Sequence, residues 1–97
     1  MKVQISEIEN IISLLLNKLK ESKGNEIELG NDFYWDIASS ELYNPYIEPK
    51  EISLGQLSDD LSEILRLKNQ SDDAIPYDLK RVACIVKALS IENEVAF

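Results

Sequence analysis

Histidine is absent from this 97-residue sequence, and cysteine occurs once, as Cys84. The first absence removes the commonest general base and the commonest transition-metal ligand together. The second excludes an internal disulfide and leaves a thiol with no imidazole to activate it. Flanked by Ala83, Ile85 and Val86, Cys84 is expected to be a buried, inert thiol. Glycine is confined to Gly24, Gly30 and Gly55, so no glycine-rich phosphate loop can form. No apolar run reaches the roughly 18 residues that a membrane span needs, and the opening MKVQISEIEN lacks the charged-then-apolar build of a signal peptide. A cytoplasmic protein without cofactor, bound metal or membrane contact is expected.

Basic residues are scarce in one place above all. Residues 24–63 hold ten acids (Glu26, Glu28, Asp32, Asp36, Glu41, Glu48, Glu51, Asp59, Asp60 and Glu63) against the single Lys50, a local net charge of −9. The rest of the chain sums to +1, so the whole formal charge of −8 belongs to this segment. The same segment carries five of the seven aromatics: Phe33, Tyr34, Trp35, Tyr43 and Tyr46. Nucleic acids and anionic membranes repel such a surface, because binding them relies on Lys and Arg neutralising phosphates. A basic protein is the natural partner, and the field of the segment would speed its encounter. The candidate contact residues are Asp32, Tyr34, Trp35, Asp36, Glu41, Tyr43, Tyr46, Glu48, Asp59 and Asp60.

The length accommodates one domain, residues 1–97. Three amphipathic stripes predict three helices. The first runs from Glu7 to Ser22, with Ile8, Ile11, Ile12, Leu15, Leu16 and Leu19 on one face, a Ser6–Glu9 capping box and a Gly24 stop. The second runs from Leu54 to Lys68, opened by a Ser53–Gln56 capping box and an Ile52–Leu57 staple. Its core face is Leu54, Leu57, Leu61, Ile64 and Leu65, with Asp59, Asp60 and Glu63 turned away. Gly55 falls in its first turn, at a cost of about 1 kcal/mol relative to alanine. The third helix runs from Pro76 to Ser90 on the stripe Leu79, Val82, Ala83, Val86 and Leu89, with Pro76 tolerated in the first turn.

The connector between the first two helices is too long to be bare loop. Glu26–Leu29, a Gly30-Asn31 turn and Phe33–Ile37 carry the pattern of a hairpin. In that hairpin Phe33, Trp35 and Ile37 share a core face, and Tyr34 and Asp36 face outward, which makes Tyr34 the better contact candidate. Pro45 and Pro49 argue against regular structure in residues 38–51, which would lie over the helices on Tyr43, Tyr46 and Ile47. The fold class is mainly α: a three-helix domain with an aromatic β-hairpin or irregular insert between helices 1 and 2, or alternatively α+β. A carboxylate-only site from Asp36, Asp59 and Asp60 would have to overcome the roughly 100° between adjacent helical side chains. The sequence reads as that of a binding protein, not an enzyme.

The run DFYWDIASSELYNPYIEPKEISLGQLSDDLSEI, residues 32–64, resembles small bacterial immunity proteins of polymorphic toxin systems, including contact-dependent growth inhibition. The resemblance rests on the YWDI segment, the LYNPYIEP step and the LGQLSDD helix start. It implies a protein that binds and blocks a toxin C-terminal domain, frequently a nuclease, with no turnover. Carried over residue by residue, it points to Tyr34, Trp35, Asp36, Tyr43, Tyr46, Gln56, Asp59 and Asp60. A small acidic adaptor or regulatory subunit for another basic protein is the alternative, and the oligomeric state stays open.

Overall fold

A computed structural model of the chain describes residues 1–92. The order of elements is α1 (Ile5–Lys23), β1 (Phe33–Ile37), α2 (Ser39–Leu42), β2 (Ile52–Gln56), α3 (Leu57–Leu65), two single 3-10 turns (Arg66–Lys68 and Ser71–Asp73), and α4 (Tyr77–Glu92). The result is a small, mostly helical domain with one two-stranded antiparallel sheet. No helix among the described residues is long and apolar enough to cross a membrane.

α1 starts at Ile5, with Gln4 two residues before Ser6 at the cap position, because the Ile8 N–H already donates to the Gln4 carbonyl at 3.2 Å, so Ser6 lies inside the helix and cannot cap it. Its end is as expected. Gly24 adopts φ 86° and returns its N–H to the Lys20 carbonyl at 2.9 Å, a left-handed turn that glycine makes without a Cβ penalty. Only Leu19 of the apolar stripe is buried; Ile5, Ile8, Ile11, Ile12, Leu15 and Leu16 are all exposed. The Cα radius of gyration is 15.1 Å, against about 13 Å for a closely folded chain of this length. The expectation of three helices sharing one core therefore fails at α1.

The expected hairpin is replaced by a longer-range pairing. Residues 26–29 form no strand, and β1 pairs with β2, which takes the first three residues of the expected second helix, Leu54 to Gln56. Ile52, Leu54 and Gln56 alternate with Ser53 and Gly55, a two-residue period that suits a strand. The Ser53–Gln56 capping box consequently does not exist. Asp32 caps α3 from outside the helix instead: its carbonyl accepts the Leu57 N–H (2.7 Å), and its carboxylate accepts the Ser58 N–H (2.8 Å), the Ser58 hydroxyl (3.0 Å) and the Gln56 amide (2.8 Å). Side-chain donation from Gln56, followed by the Ser58 backbone, holds the Asp32 carboxyl below its usual range.

The 38–51 connection is not free of helix: Ser39–Leu42 makes one turn before Pro45. Glu41 closes the connection by accepting the N–H groups of Lys50 (2.7 Å) and Glu51 (3.0 Å). Tyr43, Tyr46 and Ile47 do not anchor it on the helices; all three are exposed. At the start of α4 the Ile75 N–H donates to Asp78 (3.0 Å), so Pro76 occupies the first-turn position that tolerates proline. Asp78, 5% exposed, also receives Arg81 (2.6 Å) and Arg66 (3.4 Å), tying α4 to the end of α3. The Ile75 N–H and Arg81 hold its carboxyl below the usual range. Of the expected α4 stripe, Leu79, Val82 and Ala83 are exposed while Val86 and Leu89 are half-buried, together with Arg81, Cys84, Ile85 and Ala88. Cys84 is half-buried, not fully enclosed.

Candidate protein-docking face

The register of the sheet decides what each strand residue does. Phe33 lies opposite Gln56, Tyr34 opposite Gly55, Trp35 opposite Leu54, Asp36 opposite Ser53 and Ile37 opposite Ile52. Opposed residues of an antiparallel pair point to the same side. One face therefore carries Phe33, Trp35, Ile37, Ile52 and Leu54 with Gln56 at its edge, and the other Tyr34, Asp36, Ser53 and Gly55. The polar face, not the apolar one, packs on the helices.

Tyr34 and Asp36 make that inward face work. The Tyr34 hydroxyl donates to Asp60 Oδ2 at 2.6 Å, across to α3. Lys80 Nζ, from α4, donates to Asp36 Oδ2 at 2.8 Å and to the Tyr77 hydroxyl at 3.0 Å. The same ammonium sits 5.7 Å from the centre of the Tyr34 ring and 5.0 Å from that of Tyr77, within cation–π range. Burial opposes the charge on Lys80, but the Asp36 and Tyr77 contacts outweigh it and raise its pKa above the ordinary value. Burial, the Asp60 carboxylate and the Cys84 thiol push the Tyr34 phenol well above its usual range. These hydrogen bonds and the Lys80–Asp36 ion pair fix the sheet on α3 and α4 with geometry that apolar contact alone does not impose.

Two expectations are inverted here. Tyr34 was expected outside and Trp35 inside; Tyr34 is half-buried, and Trp35 is 75% exposed. Asp59 and Asp60 were expected to share a solvated face; Asp59 is exposed, whereas Asp60 is only 9% exposed and holds Tyr34. The reason is angular: Asp60 follows Leu57 by three residues and so lies on the buried side of α3. Asp36, Asp59 and Asp60 do not share a task either, since Asp36 serves Lys80, Asp60 serves Tyr34, and Asp59 meets water.

Of the candidate contact residues, Asp32, Tyr34, Asp36, Glu41 and Asp60 are engaged within the chain, as is Gln56. Trp35, Tyr43, Tyr46, Glu48 and Asp59 remain presented to solvent, Tyr46 at 95% exposure. Ile37 joins the sheet face to the connection through a recess of about 280 Å³ that also touches Leu42, Tyr46, Ile47 and Glu48. On the other side of β1 a groove of about 570 Å³ separates it from α4, lined by Leu29, Phe33, Leu57, Ala83 and Ile91 among others. Phe33, Trp35 and Ile37 line this groove and Ile37 also borders the recess, so sheet face, recess and groove form one surface, built on the acidic segment and edged by α4. Sequence reasoning missed Phe33, Ile52 and Leu54 as surface residues and Lys80 as the anchor. The period of two across residues 52–56 was the available signal for the strand; nothing local marks Lys80.

No family model matches the chain, and neither the curated proteins nor the solved structures contain a match to it.

Proposed function

We propose that this chain is a stoichiometric binding protein that neutralises a basic protein domain, the toxin domain of an immunity pair, by covering it without turnover. The supporting observation is the outward-facing sheet surface, on which the large apolar side chains Phe33, Trp35, Ile52 and Leu54 are exposed and Ile37 is half-buried. Such a surface on a free chain marks a contact site. Aromatic anchors at the centre supply affinity, and the surrounding exposed acids, Glu48, Glu51 and Asp59, steer a basic partner and fix its register. A nuclease domain is the partner class that fits both the charge and the resemblance of residues 32–64.

The test uses the full chain and the toxin domain encoded beside it. Surface plasmon resonance should give a one-to-one complex. Its association should slow steeply with salt as the Debye length falls from about 10 Å at 0.1 M to about 3 Å at 1 M. Trp35→Ala should weaken it at both salt concentrations. Absence of binding to that domain, or binding indifferent to both salt and Trp35, overturns the reading. Weak, rapidly exchanging binding that leaves toxin activity intact would instead favour an adaptor.

A further inference from the structure

The least satisfied surface outside the sheet is α1. Ile5, Ile8, Ile11, Ile12, Leu15 and Leu16 are each at least 38% exposed, and the helix is anchored to the body chiefly at Leu19. We infer that this stripe is covered by α1 of a second copy, packed antiparallel about a two-fold axis. The proposal is independent of the toxin reading, because it leaves the sheet face free.

The sequence of the stripe is self-complementary in one orientation. Ile5, Ile8, Ile12, Leu15 and Leu19 alternate three- and four-residue spacing, the seam of a two-helix coiled coil. Set antiparallel, Ile12 lies opposite Leu15 of the second copy, Ile8 opposite Leu19, and Ile5 opposite Ser22. On one flank Ile11 meets Ile11 of the second copy, and on the other Leu16 meets Leu16. Beyond Leu16 on that flank Glu9 meets Lys23 of the second copy, once at each end, as two-fold symmetry requires. Antiparallel packing also sets each helix N-terminus against the other's C-terminus, the favourable dipole arrangement. The parallel alternative fails on charge: it places Lys18 beside Lys23 of the second copy on both flanks.

The body of the chain permits this geometry. Leu19 rests on its own domain, but Leu16, Leu19 and Ile27 border a groove of about 410 Å³ at that end of α1. Ile8 of the second copy would enter it. A 19-residue helix is about 28 Å long, and the Ile12–Leu15 layers fall at its middle, ahead of the Leu19 contact with the body.

Sedimentation velocity of the full chain should show a concentration-dependent species of about 22 kDa, twice the 11.0 kDa monomer. Ile11→Glu would put two carboxylates face to face and should weaken dimerisation at least tenfold while helical circular dichroism at high dilution stays unchanged. Orientation is read by charge exchange. Glu9→Lys should weaken the dimer, and adding Lys23→Glu should restore it, because only the antiparallel register joins those two positions. A monomer at every concentration up to about 0.5 mM overturns the proposal and gives the stripe to a different protein. A dimer indifferent to Ile11→Glu, or not restored by the double exchange, overturns it equally.

Discussion

Gly55→Ala separates the physics of this fold from its sequence pattern, because the two give opposite signs. In the first turn of a helix, alanine for glycine would stabilise by about 1 kcal/mol. In the structure Gly55 lies in β2 opposite Tyr34, and a Cβ there would fall on the Cζ and Cε2 atoms of the Tyr34 ring. The ring cannot stay where it is. Its hydroxyl, 2.6 Å from Asp60 Oδ2, is the part that loses most. Overpacking costs about 1–3 kcal/mol, and loss of a hydrogen bond to a buried charged group about 1.5–3 kcal/mol. Reduced freedom of the unfolded chain returns about 0.4–1 kcal/mol. The net expectation is destabilisation by about 2–4 kcal/mol, measured as a fall in the urea midpoint followed by circular dichroism. The same substitution in a Tyr34→Ala background meets no ring and should be neutral or stabilising. If Gly55→Ala lies within about 0.5 kcal/mol of the parent, or costs as much without the Tyr34 ring as with it, the packing of Tyr34 over Gly55 is refuted.

Three further outcomes are expected. Trp35→Ala should change stability by no more than about 0.5 kcal/mol but weaken partner binding by about 2 kcal/mol or more, read by calorimetric titration beside a urea melt; a large stability loss would put the ring inside the fold. Asp60→Lys should destabilise by about 3 kcal/mol or more, since it buries an unmatched charge beneath Tyr34. Asp59→Lys should cost under about 1 kcal/mol, and equal effects at the two positions would contradict the burial difference. With no histidine to titrate, thermal stability should be flat from about pH 5 to 9 and fall on either side. Asp32 and Asp78 have folded pKa values below their unfolded ones, so their contribution is full above about pH 4 and is lost as pH falls through the folded values. Tyr34 and Lys80 have raised folded values, so theirs is full below about pH 10 and is lost above it. A Tm scan in which Asp32→Asn leaves the acid limb unchanged would sink the capping assignment.

Periodicity carried the helices well and the sheet poorly. The apolar repeats of α1 and α4 placed both within a residue or two of their ends, and Gly24 marked the stop of α1 by its own backbone freedom. The stretch Ile52–Gln56 was ambiguous in isolation, because Leu54 fits the helical stripe of Leu57 and Leu61 as well as it fits a strand. What resolves it is Asp32, more than twenty residues earlier, which caps α3 at Leu57 and Ser58 and leaves the preceding residues to pair with β1. Such a cap leaves no trace in the spacing around the helix it starts. The orientation of the sheet was equally hidden. An apolar–polar alternation says that two faces differ, and the usual inference is that the apolar one is inside; here Asp60 and Lys80 supply partners that draw Tyr34 and Asp36 inward. The segment with the excess charge was legible, but which of its carboxylates are free depends on donors from Ser58, Gln56, Lys80, Tyr34 and the Lys50–Glu51 backbone.

The chain has one tryptophan, and it sits in the middle of the outward sheet face, opposite Leu54. An indole so exposed is already bathed in water in the native state, so unfolding changes its surroundings little. Its emission should be nearly silent through a denaturant transition that circular dichroism records in full. A macromolecule settling on the sheet would strip that water away and shift the emission to the blue. Trp35 is thus an intrinsic optical probe of occupancy that is largely blind to folding, and ligand screening can proceed on the unlabelled protein.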